Sequence, residues 1–157
     1  IVLSWQTTSP VTGDDLDSHI QIPDNSSGTF HLHWEVNTGG SGKGNDYYIY
    51  SAADPSDNVT LDRDEQDPPG TETITITEVR SGTYSYSVHD YSNRADSSST
   101  KLANSNAYVT VYYNNTTTIY DVPSGAGNLW RVFTFTESGG LTKVNTMAVE
   151  DTHTDVY

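Results

Sequence analysis

The chain has 157 residues and no cysteine, and 21 acidic against 7 basic residues leave a formal charge of −14. Disulfides, thiolate chemistry and cysteine-based zinc sites are therefore excluded, and phosphate backbones or anionic membranes would be repelled, so neither nucleic acid nor membrane insertion is expected. Apolar residues make up only 33%, but aromatic residues reach 11% with 11 Tyr, a mixture that with the abundant threonine favours short strands over helices or disorder.

In chain order, residues 1–7 alternate with Ile1, Leu3 and Trp5 inward, a half-buried strand ended by Pro10 and Gly13. No initiator methionine or signal peptide precedes it, which reads as a mature chain or an excised segment. An acidic stretch at 14–19 runs into Ile20-Gln21-Ile22, and residues 23–28 form a turn by composition. Phe30, Leu32, Trp34 and Val36 then alternate with His31, His33 and Glu35. The glycine-rich stretch at 39–44 reads as a hairpin loop, residues 46–52 as a Tyr-rich strand, and 54–57 as a loop. Val59 and Leu61 mark a short edge segment, and Pro68-Pro69-Gly70 fixes a tight loop. Residues 72–77 and 83–91 form a hairpin, residues 93–100 a polar loop, and strands follow at 107–113, 117–122, 129–136 and 141–149. Residues 150–157 are a polar tail with little reason to pack alone.

No segment carries the helical period, and no run reaches the roughly 20 apolar residues of a membrane span. About ten short strands predict an all-β fold, a two-sheet antiparallel β-sandwich of immunoglobulin-like or jelly-roll kind. One domain spans 1–149, followed by the tail at 150–157.

Period two puts Asp15, Asp17 and His19 on one face of an extended chain. With Asp62, Asp64 and Glu72 around the Pro-Gly loop, they supply the hard oxygens calcium prefers. His19 and His89 instead suit zinc or another transition ion. The predicted ligand set is Asp15, Asp17, His19, Asp62, Asp64, Glu72 and His89, with calcium ahead of zinc. The competing reading is a buried polar network with no metal.

His31 and His33 are i, i+2 neighbours able to chelate a transition ion, although a solvent-facing strand carries such pairs without function more often. Glu35 extends that face toward a zinc hydrolase, but no His-Glu-x-x-His, Ser-His-Asp order or phosphate loop supports one, and an enzyme is not expected. Tyr47, Tyr48, Tyr50, Tyr84, Tyr86, Tyr112 and Tyr113 offer either a stacking platform for sugars or core residues with wet hydroxyls. Four N-x-S/T sequons, at Asn25, Asn58, Asn114 and Asn115, are candidate glycosylation sites.

Taken together, Trp5, Asp15-Leu16-Asp17-Ser18-His19, His31/His33-Trp34, Leu61-Asp62-Arg63-Asp64, Glu72-Thr73-Ile74-Thr75-Ile76, Gly82-Thr83-Tyr84-x-Tyr86-x-Val88-His89-x-Tyr91 and Trp130-x-Val132-Phe133 resemble the YfaP-like domains, β-rich domains of secreted and surface bacterial proteins. The resemblance covers residues 1–149. It departs before Glu72, where Pro69-Gly70-Thr71 stands in place of the family's Gly-Pro. It implies an extracellular or cell-surface location and a non-enzymatic module. The expected function is a structural or adhesive module, ion-stabilised, whose terminal strands join copies of itself or other surface proteins into a fibre. The alternative is a carbohydrate-binding module.

Overall fold

The computed structural model describes residues 1–6, 14–36 and 46–156. Within them the alternating stretches become β1 (Val2–Trp5), β2 (Leu16–Pro23), β3 (Thr29–Leu32), β4 (Asp46–Ser51), β5 (Asp54–Leu61), β6 (Gly70–Ile76), β7 (Thr83–Asp90), β8 (Tyr108–Tyr113), β9 (Thr116–Asp121), β10 (Leu129–Thr136) and β11 (Gly140–Ala148). One antiparallel sheet runs β4-β5-β6-β1-β8-β9 and the other β11-β10-β7-β2-β3, giving the expected β-sandwich. Among the described residues, no helix is long and apolar enough to cross a membrane.

Apolar side chains at every second position meet between the sheets. Leu3, Trp5, Leu61, Ile74, Val109 and Val111 come from the first sheet, and Ile20, Ile22, Tyr84, Tyr86, Val88 and Phe133 from the second. Phe133 stacks on Tyr86 at 5.3 Å and on Tyr120 of the opposite sheet at 5.4 Å, so one ring joins the layers. Gly70 pairs with Trp5, and any Cβ there would lie 2.0 Å from the indole. The residue must be glycine because the Trp5 ring occupies the side-chain space.

Several expectations need correction. Residues 54–57 belong to β5, and that strand is no edge: it lies between β4 and β6. The strand expected through Val36 stops at Leu32, and a turn closed by Val36 N–H donating to the His33 carbonyl replaces it; Trp34 packs against Tyr91 and His153. Strand β1 is paired on both edges, with β6 and β8, and has no free edge to lend to a neighbour. The polar tail also packs. Glu150 N–H donates to Asn128 Oδ1 at 2.8 Å, and Val156 is buried. Pro10, Gly13 and the glycine-rich stretch at 39–44 lie outside the described residues.

Candidate metal centre

Strand β2, between β7 and β3 in its sheet, is buried along both faces: one meets the opposite sheet, and residues 150–156 fold over the other, where Glu150 and Thr154 bond His89 and His31. Its alternation sends Ile20 and Ile22 into the core, with the Ser18 hydroxyl on the Tyr86 hydroxyl at 2.8 Å. Asp17 and His19 take the other side. Register then sets their neighbours: Asp17 is directly opposite His89 on β7, and Gln21 is opposite His31 on β3. His19, one step along each strand, lies diagonal to both histidines.

The result gathers all five histidines of the chain. Ring centroids of His19 lie 5.1 Å from His31, 5.5 Å from His33 and 5.7 Å from His89, and His33 is 5.6 Å from His153. The pair His31 and His33, expected to face solvent, is part of this cluster; His33 is only 7% exposed. Nothing in the periodicity of residues 150–157 signals His153, which the folded-back segment brings in.

Within the cluster, Asp17, His19 and His89 each offer a ligand atom, and these atoms lie within 4.8 Å of one another. The three residues are 2%, 1% and 0% exposed. Asp17 Oδ2, His19 Nε2 and His89 Nδ1 have no hydrogen-bond partner, an arrangement that costs about 1–3 kcal/mol per buried group unless something is bound there. Hydrogen bonding assigns the tautomers. His89 Nε2–H donates to the Glu150 carbonyl at 2.8 Å, so Nδ1 carries a lone pair. The Thr154 backbone takes a ring proton of His31, leaving His31 Nε2 to accept from His19 Nδ1–H at 2.9 Å and His19 Nε2 bare. Imidazoles that ligate metals are commonly oriented by carbonyls in this way.

Electrostatics keep these rings neutral, the form that binds metal. Burial, reinforced by His31 and His89, holds His19 well below the usual imidazole range. Burial likewise lowers His31 and His33 to about 4 and lowers His89. Asp17 is pushed well above the carboxylate range by burial and then by Glu72 and Asp15. A divalent cation would reverse that preference by stabilising the carboxylate.

Asp17 is shared with a second trio, Asp15, Asp17 and Asp64, whose ligand atoms also lie within 4.8 Å of one another. Burial, then Asp64 and Asp90, raises Asp15 to about 7. Asp90, raised to about 6 by burial, accepts from Asn93 N and Nδ2. Five of the seven predicted ligands therefore come together in two groups that meet at Asp17.

The other two are placed differently. Glu72 crosses the sandwich from β6 and accepts the Ser18 N–H at 2.7 Å on Oε2 and the Glu65 N–H at 3.3 Å on Oε1. It organises β2 and the 62–67 loop, and both its oxygens are engaged. Asp62 is exposed, its carboxylate accepting from the Thr60 hydroxyl at 3.2 Å, because its own N–H on the Thr73 carbonyl keeps it beside β6.

Of the sequons, Asn114 and Asn115 form an exposed turn with φ of 48° and 59°. Asn25 Nδ2 donates to the Tyr50 carbonyl at 2.6 Å, and Asn58 Nδ2 to the Pro55 carbonyl at 2.8 Å, so the amides a glycan would need are in use at those two sites. The tyrosines divide: Tyr50, Tyr84 and Tyr86 are core, whereas Tyr47 and Tyr112 are exposed. No family model, curated protein or solved structure matches the chain.

Proposed function

We propose that the chain is a non-catalytic β-sandwich module of the cell exterior, structural or adhesive in role, whose fold is completed by a divalent ion. One observation carries the reading: Asp17 Oδ2, His19 Nε2 and His89 Nδ1 are buried and without partners, on side chains that converge. Two imidazole nitrogens and one carboxylate suit a borderline ion such as zinc better than calcium, which reverses the order expected from the sequence. Calcium would use the oxygen trio of Asp15, Asp17 and Asp64, and bound there it would compete for Asp17. The extracellular setting rests on the resemblance to YfaP-like domains. Elemental analysis of the purified chain and thermal melting with and without EDTA test the ion. Bound metal and a melting temperature lowered by the chelator are expected; a metal-free chain indifferent to EDTA and to added zinc or calcium contradicts the reading.

A second reading has its own observation. Tyr108 and Tyr112 lie four residues apart on β8, exposed by 39% and 66%, and Ile119 of β9 is exposed nearby, opposite Thr110. Two exposed tyrosines on one face of β8, with Asp121 paired to Tyr108, suit stacking against sugar rings. A glycan array probed with the wild type and with Tyr112→Ala decides it: glycan binding that the substitution abolishes supports a carbohydrate module.

A further inference from the structure

We infer that the chain holds a second transition ion at His33, Glu35 and His153, on the rim of the histidine cluster, an inference that rests on reading Asp17, His19 and His89 as the inner metal centre. His33, Glu35 and His153 each offer a ligand atom, and these lie within 4.8 Å of one another. The donor set repeats that of the inner centre, two imidazoles and a carboxylate. His33 is buried, yet its Nδ1 has no hydrogen-bond partner. Beside it, His153 Nε2 meets Glu35 Oε2 at 2.5 Å, closer than the roughly 2.7–2.9 Å of a charge-assisted N–H···O bond. A proton between those atoms occupies the place of a cation. Tetrahedral coordination at about 2.0–2.2 Å separates ligand atoms by roughly 3.3–3.6 Å, so the pair must open by about an ångström. Trp34 at 5.3 Å and Tyr91 at 5.9 Å from the His153 ring wall the site with aromatic surface, which limits water access and strengthens ligand binding.

The rim ion has a structural consequence. His153 is 118 residues from Glu35 in sequence, and its segment also supplies the Glu150 and Thr154 backbone groups that hold His89 and His31 in their tautomers. Fastening His153 therefore fixes the inner ligands, and the two ions bind with positive cooperativity.

The test uses the full chain, stripped with chelator and titrated with zinc chloride, with bound zinc counted by calorimetry and by elemental analysis after desalting. Two equivalents are expected for the wild type, and one each for His153→Gln, Glu35→Gln and Asp17→Asn. Zinc should slow amide exchange across residues 150–156 in the wild type and not in His153→Gln, with each variant's fold checked by its metal-free melting curve. One equivalent in the wild type, lost in Asp17→Asn and kept in His153→Gln, overturns the second ion and leaves the inner centre standing. Two equivalents retained in His153→Gln also overturn it. No zinc bound at all rejects both.

Discussion

Asp17 belongs to two groups of ligands, and its burial makes it the residue on which the ion-free and ion-bound states differ most. Without an ion it is a buried acid beside Asp15, Asp64 and Glu72; with one it is the carboxylate that balances two neutral imidazoles. Asp17→Asn should therefore leave the chelated protein at least as stable, yet cut its response to zinc to that of the rim ion alone. At zinc about 100-fold above its dissociation constant the inner ion alone contributes about 2.7 kcal/mol, and differential scanning of both proteins with and without zinc measures the difference. A wild-type gain that persists undiminished in Asp17→Asn would place the inner ion elsewhere. Gly70 gives a control away from the metal. Because its missing Cβ is replaced by the Trp5 ring, Gly70→Ala should cost about 1–3 kcal/mol in urea unfolding while zinc stoichiometry in the folded fraction stays unchanged.

At the scale of elements, Glu72 is the strut between the sheets: from β6 it holds β2 at Ser18 and the 62–67 loop at Glu65. Burial outweighs those two N–H donors and raises its carboxyl to about 8 from 4.5. The folded chain thus keeps a proton the unfolded chain releases, so this contribution is complete below pH 4.5 and is lost as pH rises to 8. Asp17, raised by burial and then by Glu72, acts in the same direction. His31 and His33, lowered to about 4 from 6.5, act oppositely but only below 6.5. Between pH 6.5 and 8 the metal-free protein should lose stability, by up to about 1.4 kcal/mol per pH unit for each proton, and Glu72→Gln should flatten that slope; a flat wild-type profile in EDTA would refute this account of Glu72. The strut role was not legible in the sequence, where Glu72 reads as one more acid near a loop. The ladder of Asp15, Asp17 and His19 was legible, because strand alternation alone puts those side chains on one face, and so was His89, which register sets opposite Asp17.

For the molecule as a whole, the β-sandwich followed from short alternating runs and the absence of any helical period. What the alternation could not show was the return of residues 150–156 over the outer side of β2 and β7. Contacts of that kind join residues more than 60 apart, such as His89 with Glu150, and they depend on the assembled surface rather than on local pattern. That one contact layer explains why His31 and His33 belong to a shielded cluster and why His153 reads as tail. Removing residues 150–157 should leave the two sheets folded by circular dichroism, expose the histidines and weaken zinc binding at least tenfold in calorimetry; undiminished affinity would show that the segment does not order the inner ligands. The central claim, that Asp17, His19 and His89 hold a transition ion, is tested most directly by an anomalous difference map at the zinc edge from crystals grown with zinc. The account predicts a peak within coordination distance of Asp17, His19 Nε2 and His89 Nδ1, and the absence of any peak there, with the three side chains ordered, would contradict it.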